Sequence, residues 1–470
     1  MVLTDVTTRK SWRRGEQRGL KLIPVGLALG LTFAVAVAVA GFVFFTGWDL
    51  LNVQGLKPER RIDAKTLFDL VKLAFGVVAG AGALVALVVA YRRQRVDEDA
   101  ALREATRLHT ERFTAAVSQI GQESAAVRLG GVHALAGLAD DAPTTELRQT
   151  CIDVLCAYLR LPYIAESALP AGDTRAEHEY RGLREVRQTV IRLVRDHLRL
   201  KEGHRHSWRG HDFDFTGVVF DGGDLSGAVF DRGTARFTGA TFAGTAMSFA
   251  GVQVLSDATL DFTRAVFAGA RVDFAGCAFK GGSTDFTDAL FRSGTVDFRD
   301  CGFIAGSVLF RGGRFTGGTV SFSGDRPSPA ATEVCFSGST VDFDRAVFAG
   351  GQVAFGGARF SKGSVSFRRA EFSGAEVSFE RARFEGCGVD LAEGVFSAGA
   401  VRFAEAEFSA GSVAFRDAVF VGAAVDFAQR SLLGGTLDFT GARGTPPGAL
   451  MPAVPAGGTA PVGLIVPLTW

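Results

Sequence analysis

The chain has little of what enzymes use to build a site. Its seven His all lie at or before position 211, so the last 259 of its 470 residues contain no imidazole to act as a base. Its six Cys include no CxxC pair and are too sparse for a disulfide framework. A phosphate-cradling loop, HExxH, a zinc-ligand quartet and a nucleophile elbow are all missing from the sequence. These absences predict a chain that is not an enzyme, with no cofactor and no metal site. The formal net charge of +1, from 51 basic and 50 acidic residues, excludes a generally polybasic nucleic-acid binder, and no direct nucleic-acid partner is expected. Tyr, Trp and Met number only 4, 4 and 3, whereas Phe reaches 41 and Gly 59. So narrow a bias suggests a repeat.

Charge is also missing locally. Leu22 to Trp48 has no charged side chain for 27 residues, and Leu73 to Tyr91 has none for 19. At about 1.5 Å per residue each is long enough for a hydrocarbon core of roughly 30 Å. The first run is far longer than the apolar region of a signal peptide. Two membrane spans are therefore expected, at 22–48 and 67–91, after a basic tail at 1–21 and with a connecting loop at 49–66. Arg9, Lys10, Arg13, Arg14, Arg18 and Lys21 precede the first span, and Arg92, Arg93 and Arg95 follow the second. The loop holds Lys57, Arg60, Arg61 and Lys65. The bias predicts a multi-pass cell-membrane protein with both termini cytoplasmic. Gly26 with Gly30, and Gly76 with Gly80, give each span a GxxxG spacing that would allow close helix packing or a homodimer.

From 92 to 203 Leu, Ala, Val, Glu and Arg recur at helical spacing, with breaks at Gly121, Asp140 to Pro143 and Pro162 to Gly172. About four helices are expected, the first continuing from the second span to about Ile120 as a stalk. Ser124 reads as the N-cap of the next, with Val127, Leu135 and Leu138 on one face. The stretch from Val127 to Leu138 resembles one helix of a HEAT-type repeat, and a small bundle is expected. Cys151 and Cys156 read as small buried hydrophobes. His204, His206 and His211 form the one His cluster, without further ligands at metal-binding spacing.

Beyond Phe213 one aromatic sets the rhythm. Phe262, Phe267, Phe274, Phe279, Phe286, Phe291, Phe298, Phe303, Phe310, Phe315 and Phe322 alternate steps of 5 and 7, a 12-residue unit. The pattern resumes through Phe336, Phe343, Phe348, Phe355, Phe360, Phe367 and Phe372 and continues to Phe439, with Leu391 and Leu432 as substitutes. Only 324–332, with Pro327 and Pro329, interrupts it, as an inserted loop. Apolar or small residues stand two before each Phe and polar ones lie between, which is a short strand with one buried face followed by a turn. Steps of 5 and 7 fit no helix. Stacked coils about 4.8 Å apart do fit, with like residues in columns. Four faces of 5, 7, 5 and 7 make a 24-residue coil, which stacks Cys277 on Cys301. About nine coils over 204–444 give a rod on the order of 43 Å long. The helix from about His178 to Leu200 is expected to cap its start, and 445–470 is a Pro-rich tail or cap.

The opening units, Phe215, Phe220, Leu225 and Phe230 with Val218, Gly223 and Ala228 two before, resemble the pentapeptide-repeat family, over roughly 211 to 444. The resemblance implies a right-handed quadrilateral parallel β-helix. The whole order, two transmembrane helices, a small helical domain and Phe-rich repeats, resembles bacterial membrane-anchored members. The alternation of five- and seven-residue faces departs from the family's uniform five. Asp261 with Asp285, and Asp273 with Asp297, form acidic columns one coil apart and read as an outward, solvated candidate interaction face. The segment 211–444 carries 27 acidic and 21 basic residues. Members that inhibit DNA topoisomerases imply a second reading, an acidic rod that imitates DNA. Interspersed Arg292, Arg299, Arg311 and Arg314 dilute that field. The expectation is therefore a tethered scaffold for an unidentified protein partner, whereas an outward-facing adhesive rod would need the opposite topology.

Overall fold

A chain that places Phe at every fifth and seventh position can bury all of them only by winding. In the computed structural model, which describes residues 25–50, 63–164, 166, 169–170, 172–324, 335–450 and 462–467, it does so. Each coil contributes two strands, such as Val266–Asp273 and Ala278–Asp285, and every strand pairs in parallel with its counterpart one coil on. The result is a parallel β-solenoid of one 12-stranded and one 11-stranded sheet. Phe267 pairs with Phe291, and Phe279 with Phe303, which fixes the coil at 24 residues.

The Phe side chains form four columns inside. Phe262, Phe286, Phe310, Phe343 and Phe367 stack face to face, their centroids 4.6–4.7 Å apart. Phe274, Phe298, Phe322, Phe355 and Phe379 form a second such column at 4.7–4.8 Å. The two meet edge to face along the axis, as Phe286 does with Phe274 at 5.9 Å and with Phe298 at 5.8 Å. Phe267, Phe291, Phe315, Phe348 and Phe372 build the third column, and Phe279, Phe303, Phe336, Phe360 and Phe384 the fourth. Stacking within a column follows the strand spacing, and the edge-to-face contacts satisfy the ring quadrupoles between columns. The residues two before each Phe, such as Val272 and Cys277, are buried as well.

Cys277 and Cys301 occupy successive coils as free thiols, and each donates to a Phe carbonyl, that of Phe249 and of Phe274, at 3.1 Å. Burial pushes the Cys301 thiol well above its ordinary pKa. Residues 325–334 lie outside the description. On either side of them Gly324 donates to Gly356 O (3.0 Å) and Cys335 to Cys301 O (3.1 Å), so the ladder holds its register across the insertion. At the far end Leu464–Ile465 pairs in parallel with Leu437 and Asp438, so part of the Pro-rich tail returns as one more strand.

The chain divides into two compact units, Met1–Ala105 and Thr106–Trp470. The first holds helix α1 (Val25–Leu50) and the beginning of α2 (Ala64–Ile120). Among the described residues α2 is the one helix long and apolar enough to cross a membrane, with mean hydropathy 2.5 over a window that is not buried. One of the two expected spans therefore has a candidate helix. Helix α1 is unbroken over 26 residues, Val25–Leu50, most of them within the first uncharged run. The tail with Arg13 and Arg14 lies outside the described residues. Arg92, Arg93 and Arg95 follow the apolar run of α2 directly, and Arg95 Nε donates to Tyr91 Oη at 3.3 Å.

The second unit opens with the end of α2 and with α3 (Ala125–Asp140), α4 (Thr145–Arg160) and α5 (Thr174–Arg199). Thr144 caps α4 by accepting from Leu147 N–H, and Asp173 caps α5 by accepting from Arg175 and Ala176 N–H. Ser124 stands at the start of α3 but makes no side-chain cap bond. Leu135 and Leu138 of α3 are buried, whereas Val127, in its first turn, is 41% exposed and leaves the expected face. Cys151 and Cys156 are both buried in α4.

Helix α5 lies over the open end of the first coil. Its buried face carries Val186, Val190, Ile191, Val194 and Leu198, and the Ile191 side chain packs over Gly223. Arg187, 6% exposed, ties three elements together: it donates to Leu159 O and to Val219 O, both at 2.7 Å, and its guanidinium stacks on the Tyr163 ring at 4.2 Å. Nearby Tyr163 and Tyr180 both donate to Asp221. Burial and the adjacent Asp221 carboxylate push the Tyr163 phenol up to about 12. Removing the guanidinium strands one buried and one half-buried carbonyl, so Arg187→Met is expected to cost about 3 kcal/mol, because hydrogen bonds to a charged group contribute roughly 1.5–3 kcal/mol each. Thermal unfolding measures it, and a loss under about 0.5 kcal/mol, the level of an ordinary surface change, would contradict this role.

Candidate functional site

The expected interaction face was the pair of Asp columns. Asp261 is in register with Asp285, and Asp273 with Asp297, as their spacing requires. Their carboxylates, however, are engaged in the coil itself. Asp261 Oδ1 accepts from Thr263 N–H (2.9 Å), Asp273 from Ala275 N–H (2.9 Å), Asp285 from Thr287 N–H (2.8 Å) and Asp297 from Arg299 N–H (3.0 Å). Each is an Asx bond that closes the turn behind the strand. The same bond recurs at Asp342, Asp390, Asp426 and Asp438. An Asp before the turn supplies this acceptor, whereas Leu309, Ala354 and Ala414 hold the same position in other coils without it.

The solvated reading fails outright at Asp297, which is buried at 2% exposure. Burial alone would raise its pKa, but the bonds from Arg299, with Nε at 2.9 Å from both carboxylate oxygens, hold it below the ordinary carboxylate range. Asp261 is likewise held low against its partial burial, by Thr263 and by the Thr238 hydroxyl at 2.7 Å. Asp261, Asp273 and Asp285 are half-buried.

The turns themselves explain a second pattern. Ala265 N–H returns to Phe262 O at 3.0 Å, and Arg264 between them has φ 57°. A positive φ at the third position marks a type II turn. The Arg264 N–H then donates to Thr287 O of the next coil at 2.9 Å, so the turns carry a hydrogen-bond ladder of their own. Asp288, Asp300, Arg345, Arg369, Arg381, Glu393, Glu405, Asp417 and Gln429 hold the same left-handed conformation with φ of 56–59°. Charged side chains are therefore displayed along both corners of the rod.

Sequence reasoning missed how these charges pair from coil to coil. Arg359 meets Glu385 at 2.5 Å, Arg369 meets Glu393 at 2.7 Å, Arg381 meets Glu405 at 2.9 Å, and Arg402 meets Glu376. The spacings of 24 and 26 were a usable signal once the coil was set at 24. Another was the outward column Thr259, Ser283, Ser307, Thr340 and Ser364, in which Ser307 Oγ donates to Ser283 Oγ at 3.1 Å. Exposed pairs contribute little stability singly, but they neutralise the acids of the rod locally.

In the His cluster, His204 and His206 meet edge to face with centroids 5.4 Å apart. Asp140 Oδ2 lies 3.8 Å from His206 Nδ1 and 3.1 Å from His197 Nε2, and Asp140 Oδ1 accepts from Trp208 Nε1 at 3.1 Å. These residues join α3, α5 and the segment that enters the solenoid. No protein-family model, no curated protein and no solved structure matches the chain.

Proposed function

We propose that the chain is a non-enzymatic, membrane-tethered protein-interaction scaffold of the pentapeptide-repeat kind, with two spans, both termini in the cytoplasm and a right-handed β-helical rod as its binding element. One observation carries this reading: the interior of the rod is filled by Phe, Val, Ala and Cys, and its polar side chains stand on a repeating outer lattice. Such a lattice offers extended, regularly spaced contacts rather than a concave reaction site. An apolar helix in the same chain would hold it in the membrane plane and raise its effective concentration toward a membrane partner.

The DNA-mimicking reading is placed second because the acids it needs are capped into turns or paired with Arg. Asp342 is bonded to Arg311 and Asp438 to Arg416, besides Asp297 to Arg299. The test uses the full chain. In-membrane crosslinking followed by purification is expected to recover a protein partner joined to the rod, and protease added to intact protoplasts is expected to leave the rod uncut. Loss of the rod would overturn the cytoplasmic assignment. Stoichiometric inhibition of DNA supercoiling would replace the scaffold with the topoisomerase inhibitor.

A further inference from the structure

At one corner of the rod the left-handed turn position runs through successive coils as Arg264, Asp288, Gly312, Arg345, Arg369 and Glu393. Side chains stand at every level but one. At Gly312 the column has a gap, and a groove of about 570 Å³ opens there. Arg311, Arg345, Arg368 and Arg369 converge on it, and against these four positive charges its lining has two carboxylates, Asp288 and Asp344, a net of 4 − 2 = +2.

The state of each charge matters more than the count. Arg311 is engaged by Asp342 (2.5 Å), and Arg368 and Arg369 share the single Glu393 (2.5 and 2.7 Å). Asp344 is turned to the backbone and accepts from Arg368 N–H at 3.1 Å and from the Ser366 hydroxyl. Arg345 is exposed and makes no ion pair among the described residues. Its guanidinium therefore remains available, next to two arginines that divide one carboxylate. On the opposite wall Asp288 lies against Gly312, where a Cβ would come within 2.5 Å of its Oδ1, so the gap is kept open only by glycine.

The geometry points to an oxyanion-binding groove around Gly312 that receives the carboxylate side chains of an acidic segment of a protein partner, with Arg345 and Arg369 as its principal donors. The inference rests on the scaffold reading and names the chemistry of its partner. A planar guanidinium offers two parallel N–H donors to a carboxylate, and arginines one coil apart repeat at about 4.8 Å along the rod. An extended acidic chain, whose same-side residues recur at roughly 6.6–6.8 Å, can reach both donors with long Glu side chains. Asp288, at the negative end of the groove, would set the direction of the segment by repelling its carboxylates toward Arg345 and Arg369.

The experiment titrates full-length protein in detergent micelles with a fluorescein-labelled Glu-Gly-Glu-Gly-Glu-Gly peptide, read by fluorescence anisotropy at low and at physiological salt. Saturable binding is expected, weakened at least tenfold by Arg345→Glu with Arg369→Glu and less than twofold by Arg292→Glu, a charge reversal on an exposed residue of a strand face. If the double variant melts early, Arg345→Ala decides, since that exposed side chain has no ion pair to lose, and a threefold or larger loss is expected. Absence of binding, equal weakening by Arg292→Glu, or polyphosphate binding without peptide binding would each overturn the proposal. Crosslinks from a recovered partner that map elsewhere on the rod would overturn the groove and leave the scaffold standing, whereas a failure of crosslinking to recover any partner removes the scaffold reading itself.

Discussion

Replacing Phe286 by Ala is expected to destabilise the rod by about 3–5 kcal/mol, the range for a buried Phe truncated to Ala. Its ring is fully buried and has four close aromatic neighbours: Phe262 and Phe310 stacked at 4.7 Å, and Phe274 and Phe298 edge-on at 5.9 and 5.8 Å. Neighbouring coils have no slack to collapse into the cavity, because their spacing is set by the backbone ladders on both sides. Each coil touches mainly the next, so the damage should be local: limited proteolysis should cut near 262–310 before the rest of the rod. Phe286→Leu should cost less than about 1.5 kcal/mol. The chain makes that exchange itself at Leu391, which is fully buried in the same column. Urea unfolding of the full chain in detergent measures both variants, and equal losses for Ala and Leu would show that ring packing does not hold the rod.

The second large effect separates two glycines with the same backbone sign. Gly318 has φ 74°, and a Cβ there would lie 2.5 Å from Gly294 O and 2.9 Å from Gly294 N of the preceding coil. Gly318→Val should therefore cost at least about 2 kcal/mol, since a left-handed L-residue costs about 1–2 kcal/mol before any clash. Gly276 has φ 69°, with nothing within 4 Å of the same point. One coil on, its turn position is held by Asp300 at φ 57°. Gly276→Asp should stay within about 1 kcal/mol of the parent, because Asp tolerates this region better than most residues. Melting temperatures that fall equally would refute the distinction.

The solenoid was legible because its cause is one-dimensional. A residue that recurs at fixed steps must sit in equivalent environments, so the steps of 5 and 7 gave the buried columns, and Cys277 with Cys301 gave the 24-residue coil. The cap was legible in part, since α5 alternates apolar and charged residues at helical spacing, but that Arg187 would be its buried link to the first coil had no local signal. The Asp columns were read in the right register and with the wrong neighbours. Their spacing says which residues are one coil apart. It does not say that the carboxylate turns back to an N–H two residues on.

By itself, then, the sequence determined the repeat length, the identity of the stacked residues and the apolar character of the two uncharged runs, all properties of order along a line. Tertiary structure decided what pairs across coils: which acids are held in turns, which arginines share a carboxylate, and where Gly312 leaves a gap with an exposed Arg345 beside it. The physical reason is that a side chain's charge is fixed by its type, whereas its partner is fixed by geometry between coils, 24 residues away along the chain and about 4.8 Å away in space.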